Sequence, residues 1–184
     1  MGKISFGAII PAAGLSSRME GFKPLAAIAG QTLIERVVNL FQWAGVDEVL
    51  VVAGHRSDEI IAALEAAPCR VVVNPDYREE MLTSIKAGAR ALSGRCGAFF
   101  VLPVDIPLVR SLTIRRLMDQ FADHAASVTH PVFQARRGHP PLLDVSLIDE
   151  LLAWQGEGGQ GCKNSVFTTT RSERSTLVSQ VLSA

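Results

Sequence analysis

Three cysteines in 184 residues are too few and too scattered to build a disulfide framework or a zinc site. Cys69, Cys96 and Cys162 form no CxxC pair, and an odd, sparse set reads as the reduced thiols of a cytosolic protein. A surplus of one charge is missing too. Lysine plus arginine and aspartate plus glutamate both count 18, whereas nonspecific nucleic-acid binding draws on excess cations facing the phosphates. No nucleic acid is expected as a partner, and any anion binding must be local. No apolar run approaches the ~18 residues of a membrane span, so no membrane is expected either. FGAIIPAAG at 6–14 is apolar and ends in small residues, as a signal peptide does. Its only preceding cation is Lys3, however, and the run serves better as a strand. Phe6 stands where a myristoylation motif carries Ser or Thr. The expected location is the cytoplasm.

What is present is a compact, apolar chain: 48% hydrophobic and 20% charged, enough for one domain with a full core. Strand-like and helix-like patterns alternate. Buried strands are expected at 4–11, at EVLVVAG (48–54), at CRVVVN (69–74) and at AFFVLPVD (98–105). Thr32 and Glu35 form a capping box, and Leu33, Ile34, Val37, Val38 and Phe41 follow on one helical face up to Gly45. Ser57 is expected to cap a helix carrying Ile60, Ile61 and Leu64, ended by Pro68. Further helices are expected through Met81, Ile85 and Ala89, near 113–121, and at 146–154 capped by Ser146 and Asp149. SVTHPVF (127–133) and PPLLD (140–144) are the remaining extended runs. Nearly continuous hydrophobic strands between helices imply an α/β fold, a mostly parallel sheet covered on both faces. With no repeat and no linker before residue 156, the domain is taken as 1–161. The Gly-, Ser- and Thr-rich tail 162–184 is expected to be partly irregular.

The chemistry gathers after the first strand, in PAAGLSSRMEGFKPL (11–25). Small residues let a backbone approach a ligand, and ligands of doubly wound sheets sit beyond the carboxyl ends of the strands. Arg18 offers a planar fork to phosphate and Lys23 a point charge. Two familiar phosphate loops are absent. Gly21 is followed by Phe22, and Lys23 by Pro24, so there is no GxxxxGK[ST]. No GxGxxG opens a helix. The composition alone equally fits a surface loop with solvated cations. Asp105 closes an apolar run before Pro107, a place from which a carboxylate can hold magnesium. A turn or capping aspartate is the other reading.

AAGLSSRMEGFKPL together with VDIPL resembles the nucleotidyltransferases of the molybdenum-cofactor group, the MobA-like and MocA-like enzymes. The shared pattern covers Ala12, Ala13, Gly14, Ser16, Arg18, Met19 and Lys23. AGHRSDEI, VVNPDY with the following Met and TSI, and RRGHPPLL extend the likeness over roughly residues 4–160. A-A-G in the loop and the Gly-His-Pro motif bring it nearer the cytidylyltransferase branch. The resemblance implies a three-layer Rossmann-like nucleotidyltransferase fold with a mostly parallel, mixed-edge sheet. It implies a Mg2+-dependent transfer of a nucleoside monophosphate, CMP favoured, from an NTP to a phosphate-bearing acceptor such as molybdopterin, and a molybdoenzyme or chaperone as a further partner. Carried over by residue, Ala12, Ala13 and Gly14 would line the nucleotide, and Arg18 and Lys23 would hold the triphosphate. Gly54, His55 and Ser84 would lie near base and ribose, and Asp105 would bind the metal. Arg137 and His139 would face the acceptor, although His139 also reads as a turn histidine before two prolines. No nucleophilic side chain is needed, because the acceptor phosphate attacks the α-phosphorus and catalysis is alignment and charge neutralisation.

Two departures stand out. Glu80 precedes Met81 where the family carries glycine, and nothing after Gly161 matches the family's acidic C-terminal segment. The last twenty or so residues therefore read as truncated or altered, and a second metal ligand is in question. The rival readings are a nucleotide-binding module without turnover and a transferase acting on a sugar phosphate or similar acceptor. An NAD-dependent oxidoreductase lacks its glycine fingerprint.

Overall fold

The computed structural model describes residues 3–14, 21–124 and 126–154. In chain order the elements are β1 (Phe6–Pro11), a 3-10 turn (Lys23–Leu25), β2 (Ala27–Ile28), β3 (Gln31–Thr32), α1 (Leu33–Ala44), β4 (Glu48–Ala53), α2 (Ser57–Ala63) and β5 (Arg70–Val73). They continue with α3 (Met81–Leu92), β6 (Ala98–Val101), α4 (Ser111–His124), β7 (Val128–Thr129), β8 (Val132–Phe133), β9 (Arg136–Arg137), β10 (Leu142–Asp144), a second 3-10 turn (Val145–Leu147) and α5 (Ile148–Ala153). The main sheet runs β5-β4-β1-β6-β10-β7. Its first four strands are parallel, and β10 lies antiparallel to both β6 and β7. The expected mixed-edge, mostly parallel fold is what the chain adopts.

Two apolar layers cover this sheet, and the period-2 alternation of the strands assigns their residues. Ala8, Ile10, Val49, Val51, Ala98 and Phe100 face one side, where Ile34, Phe41, Ile60 and Ile114 of α1, α2 and α4 meet them. Ile9, Leu50, Val52, Phe99 and Val101 face the other, against Leu82, Ile85, Leu92, Ile148 and Leu151 of α3 and α5. The crossovers that build outward from β1 to β4 to β5 use the first face, and the return from β5 to β6 uses the second. One handedness of connection demands that change of face when the direction reverses.

Several local signals act as the sequence suggests. The Thr32 hydroxyl accepts from the Glu35 amide, and the Glu35 carboxylate accepts from the Thr32 hydroxyl at 2.7 Å and the Thr32 amide at 2.8 Å; these last two bonds lower the Glu35 pKa. Such a cap contributes about 1 kcal/mol. Gly45 ends α1 in the left-handed region at φ 88°.

Other boundaries differ from the expectation. The strand expected through Asp105 stops at Val101, because Pro103 has no amide to donate, although Leu102 and Val104 still bond Ile9 and Pro11 of β1. Pro131 likewise divides 127–133 into β7 and β8. Ser57 is not a cap: it is the first residue of α2, behind Arg56, and no side chain caps that end. α2 finishes at Ala63, well before Pro68. Nor do Ser146 and Asp149 cap the last helix; Asp144 accepts from the Ser146 amide at 2.8 Å and opens a 3-10 turn ahead of α5. The tail 162–184 lies outside the described residues.

Candidate active site

Because β1, β4, β5 and β6 are parallel, the loops that leave their carboxyl ends share one edge of the sheet. The antiparallel β10 brings its own amino end there, so the segment before Leu142 joins them. The strand order reverses between β1 and β6, and a crevice for ligand opens at such a reversal. Ala12–Gly14 leaves from one side of it and Pro103–Asp105 from the other.

Ala12 and Ala13 are buried and Gly14 is exposed. The Ala12 amide donates to Val52 O at 2.9 Å and the His55 amide to Ala13 O at 3.2 Å, fixing the turn against the end of β4. Gly54 is tightly enclosed: a Cβ there would lie 2.3 Å from Tyr77 Cβ and 2.8 Å from Ala13 Cβ. His55 meets Phe22 edge-on with centroids 5.8 Å apart, and tilts against Tyr77 at 6.1 Å. Lys23 follows Phe22 directly and opens the 3-10 turn, so the structure brings it to this same edge. Arg18, Ser16 and Met19 lie outside the described residues.

Asp105 is exposed and makes no hydrogen bond or ion pair among the described residues. No group of three or more His, Cys, Asp or Glu in the described residues is placed to hold a metal, so a multi-carboxylate cage is not built here. A single exposed carboxylate at this edge nonetheless fits Mg2+, which takes one or two carboxylates and fills its shell from ligand oxygens and water.

Ser84 is a different case. It is 4% exposed, and Asn74 Nδ2 donates to its hydroxyl at 3.0 Å. That oxygen is spent inside the protein, behind the β5–α3 loop. Arg137 and His139 are both exposed on the segment entering β10, with a cis peptide at His139-Pro140. Close by, His130 is held near a pKa of about 4, by burial first and then by the positive charges of Arg137 and His139. Sequence reasoning missed Asn74, Tyr77 and His130. VVNPDY carried the first two in plain view, but their importance lies in contacts distant along the chain.

A family model for the MobA-like NTP transferase domain matches residues 8–173. The chain belongs to that family. The MobA-like domain is 39% identical over 139 residues to a bifunctional IPC transferase and DIPP synthase of Rubrobacter xylanophilus, covering 72% of this chain and 31% of that protein. The chain thus spans about a third of that relative's length. It is also 30% identical over 145 residues to nicotine blue oxidoreductase of Paenarthrobacter nicotinovorans, covering 76% of this chain and 71% of that one. A solved nucleotidyl transferase from Methanothermobacter thermautotroptrophicus superposes with a TM-score of 0.72 at 30% identity, over 85% of this chain and 78% of that one. None of these three names mentions a molybdenum cofactor, so the comparisons reach the transferase family and stop short of the cytidylyltransferase branch. Among the described residues no helix is long and apolar enough to cross a membrane.

Proposed function

We propose that the chain transfers a nucleoside monophosphate from a nucleoside triphosphate to a phosphate-bearing small molecule, releasing pyrophosphate. The observation that carries this is the shared carboxyl edge: Ala12–Gly14 and Pro103–Asp105 leave it on either side of the β1/β6 reversal, and Phe22, next to Lys23, is held to the same edge by His55. The small-residue backbone of the first turn, which becomes exposed at Gly14, approaches the nucleotide, and Arg18 and Lys23 take the triphosphate charge. An acceptor phosphate oxygen then bonds the α-phosphorus while the bond to the leaving pyrophosphate breaks. Asp105 would hold Mg2+, which supplies charge neutralisation on the phosphates. Gly54 and His55 border the base and ribose side, with Ser84 reaching that side only through Asn74. Arg137 and His139 lie where the acceptor approaches.

CTP is the favoured donor. The small Ala13 of the A-A-G turn and the motif resemblance support this, and discrimination between bases then rests on hydrogen bonds to the base edge. Molybdopterin is the acceptor the motif pattern favours, and a sugar or polyol phosphate is the alternative. A second reading comes from the relative named an oxidoreductase, whose length this chain covers to 71%.

The test is a pyrophosphate-release screen of CTP, GTP, ATP and UTP with Mg2+ against molybdopterin and a set of sugar phosphates, with NADH and NADPH consumption followed in parallel. Pyrophosphate release with CTP and one acceptor class is expected. Triphosphate binding without release for any acceptor would make the domain a binding module, GTP preferred over CTP would reverse the donor assignment, and NAD(P)H turnover alone would favour the second reading.

A further inference from the structure

His55 touches both described flanks of the cationic loop. Its amide donates to the carbonyl of Ala13, on the near flank. Its ring meets Phe22, on the far flank and directly before Lys23, at an interplanar angle of 82°. The outer side of Phe22 is closed in turn by the Arg56 guanidinium, 4.8 Å from the ring centroid and itself tied to Glu59. Arg56 holds φ 53°, a left-handed conformation that a non-glycine residue adopts only under strain. That strain turns the chain sharply enough to set His55 and Arg56 on Phe22 together.

Behind His55 stands Tyr77, whose stem rests on Gly54 where no Cβ could fit. Tyr77 is fixed by a loop with almost no freedom. Asn74, 2% exposed, donates its amide to Ala53 O at 2.8 Å and its Nδ2 to Thr83 Oγ1 and Ser84 Oγ at 2.9 and 3.0 Å. Its Oδ1 accepts from the Asp76 amide at 3.0 Å. Every polar group of this buried side chain is used on the loop or on the start of α3. A buried network satisfied this fully is rigid.

We propose that His55 is a positioning residue whose ring, backed by Tyr77 and the Asn74 network, clamps the two flanks of the cationic loop together. The Ala12–Gly14 backbone and Lys23 then meet the nucleotide in one fixed arrangement. This rests on the transferase reading for its ligand, while the clamp itself belongs to the free protein. The ring acts by shape, so its nitrogens are not needed.

That feature makes the test selective. Full-length His55→Phe, His55→Ala, Tyr77→Phe and Tyr77→Ala proteins are compared with wild type for CTP affinity with Mg2+, for KM and kcat, and for hydrogen exchange of the amide at residue 55 without nucleotide. The Ala variants should weaken CTP binding about tenfold or more, chiefly in KM, and speed that exchange by a similar factor. Tyr77→Phe should stay within about twofold of wild type in all three measurements, and His55→Phe should keep the slow exchange of wild type. Equal loss in His55→Phe and His55→Ala would show that an imidazole nitrogen contacts ligand and would overturn the clamp, as would unchanged exchange in both Ala variants. Failure of wild type to bind any triphosphate would sink the transferase reading, and the exchange measurement would still decide the clamp.

Discussion

At the amino edge of the sheet Glu48 binds Arg95 at 2.7 Å and Arg70 at 3.1 Å, and Asp47 accepts from the Phe6 amide at 2.8 Å. At the carboxyl edge Arg56 and Arg78 lie over the rings of Phe22 and Tyr77, and Asp105 faces solvent without a partner among the described residues. The backbone differs in the same sense. Arg56, Gln134 and Ala135 hold φ of 53°, 48° and 59° in loops reaching the carboxyl edge, while Glu48 and Arg70 of the amino edge sit on regular strand starts. Opposite charges that satisfy one another add stability and leave nothing for a ligand. Arg56, bound to Glu59, holds a ring in place, whereas the open Asp105 carboxylate keeps its capacity for something that arrives later. The comparison divides the molecule into an edge that holds it together and an edge that works, and substitutions can break or sharpen that division.

The largest effect is expected at Asp105. Asp105→Asn keeps the shape and removes the charge, so turnover should fall at least a hundredfold, on the order of 3 kcal/mol. Thermal unfolding should not move, since no described group depends on that carboxylate. Near wild-type turnover at ordinary Mg2+ would remove Asp105 from the working edge. Next come the loop cations. A charge-assisted phosphate contact contributes roughly 1.5–3 kcal/mol, so Arg18→Ala and Lys23→Ala should each weaken CTP binding about ten- to a hundredfold by calorimetry. Unchanged affinity in both would return the loop to a solvated surface feature.

These two edges were unequally legible in the sequence. Strands with near-continuous apolar runs, the Thr32 capping box and Gly45 declare themselves locally, because each acts on residues within a few positions. Hence the fold, and the loop at the end of β1, could be read before any coordinates. The hairpin β8–β9 could not, because its turn residues are Gln134 and Ala135, both at positive φ, where turn chemistry leads one to look for Gly, Asn or Asp. The TSI motif assigns Ser84 to the base and ribose side, and its bond from Asn74 Nδ2 is a contact the motif does not show. Tyr77 against Gly54 joins two loops 23 positions apart, and pattern alone cannot show a contact of that kind.

A substitution in the core should separate folding from function. Gly88 on α3 has no room for a side chain: an added Cβ would lie 2.5 Å from Cγ2 of Ile9, which is fully buried. Overpacking of this sort costs about 1–3 kcal/mol. Gly88→Ala should therefore lower the unfolding free energy read from urea titration by that amount while leaving CTP affinity within about twofold. Equal losses of stability and affinity would mean that α3 transmits strain to the β5–α3 loop. His130 offers a smaller, pH-dependent effect. Its folded pKa of about 4 lies below the unfolded value near 6.5, so only the unfolded chain takes up this proton between those limits. Stability should fall as pH drops through that window, and His130→Gln should flatten the decline. Parallel melting curves for variant and wild type from pH 7 to 4 would show that His130 is not held neutral.

The smallest effect belongs to the amino edge, and it tests the comparison most directly. Glu48 keeps 20% of its side-chain exposure, and its arginine partners are 40% and 52% exposed, so water and salt screen both pairs. Pairs of this kind contribute roughly 0.2–1 kcal/mol. Glu48→Gln removes the charge from both at once; Arg70 retains its bond to the Ala91 carbonyl, and the half-exposed Arg95 turns to water. The expected loss is below about 1 kcal/mol at low salt. It should shrink towards zero near 1 M salt, where the screening length falls to about 3 Å. Turnover should stay at the wild-type value throughout, because no element of the nucleotide edge touches these groups. A loss that persists at high salt would show Glu48 to be a buried-type structural contact. A fall in turnover without a fall in stability would mean that the amino edge participates in the work of the other.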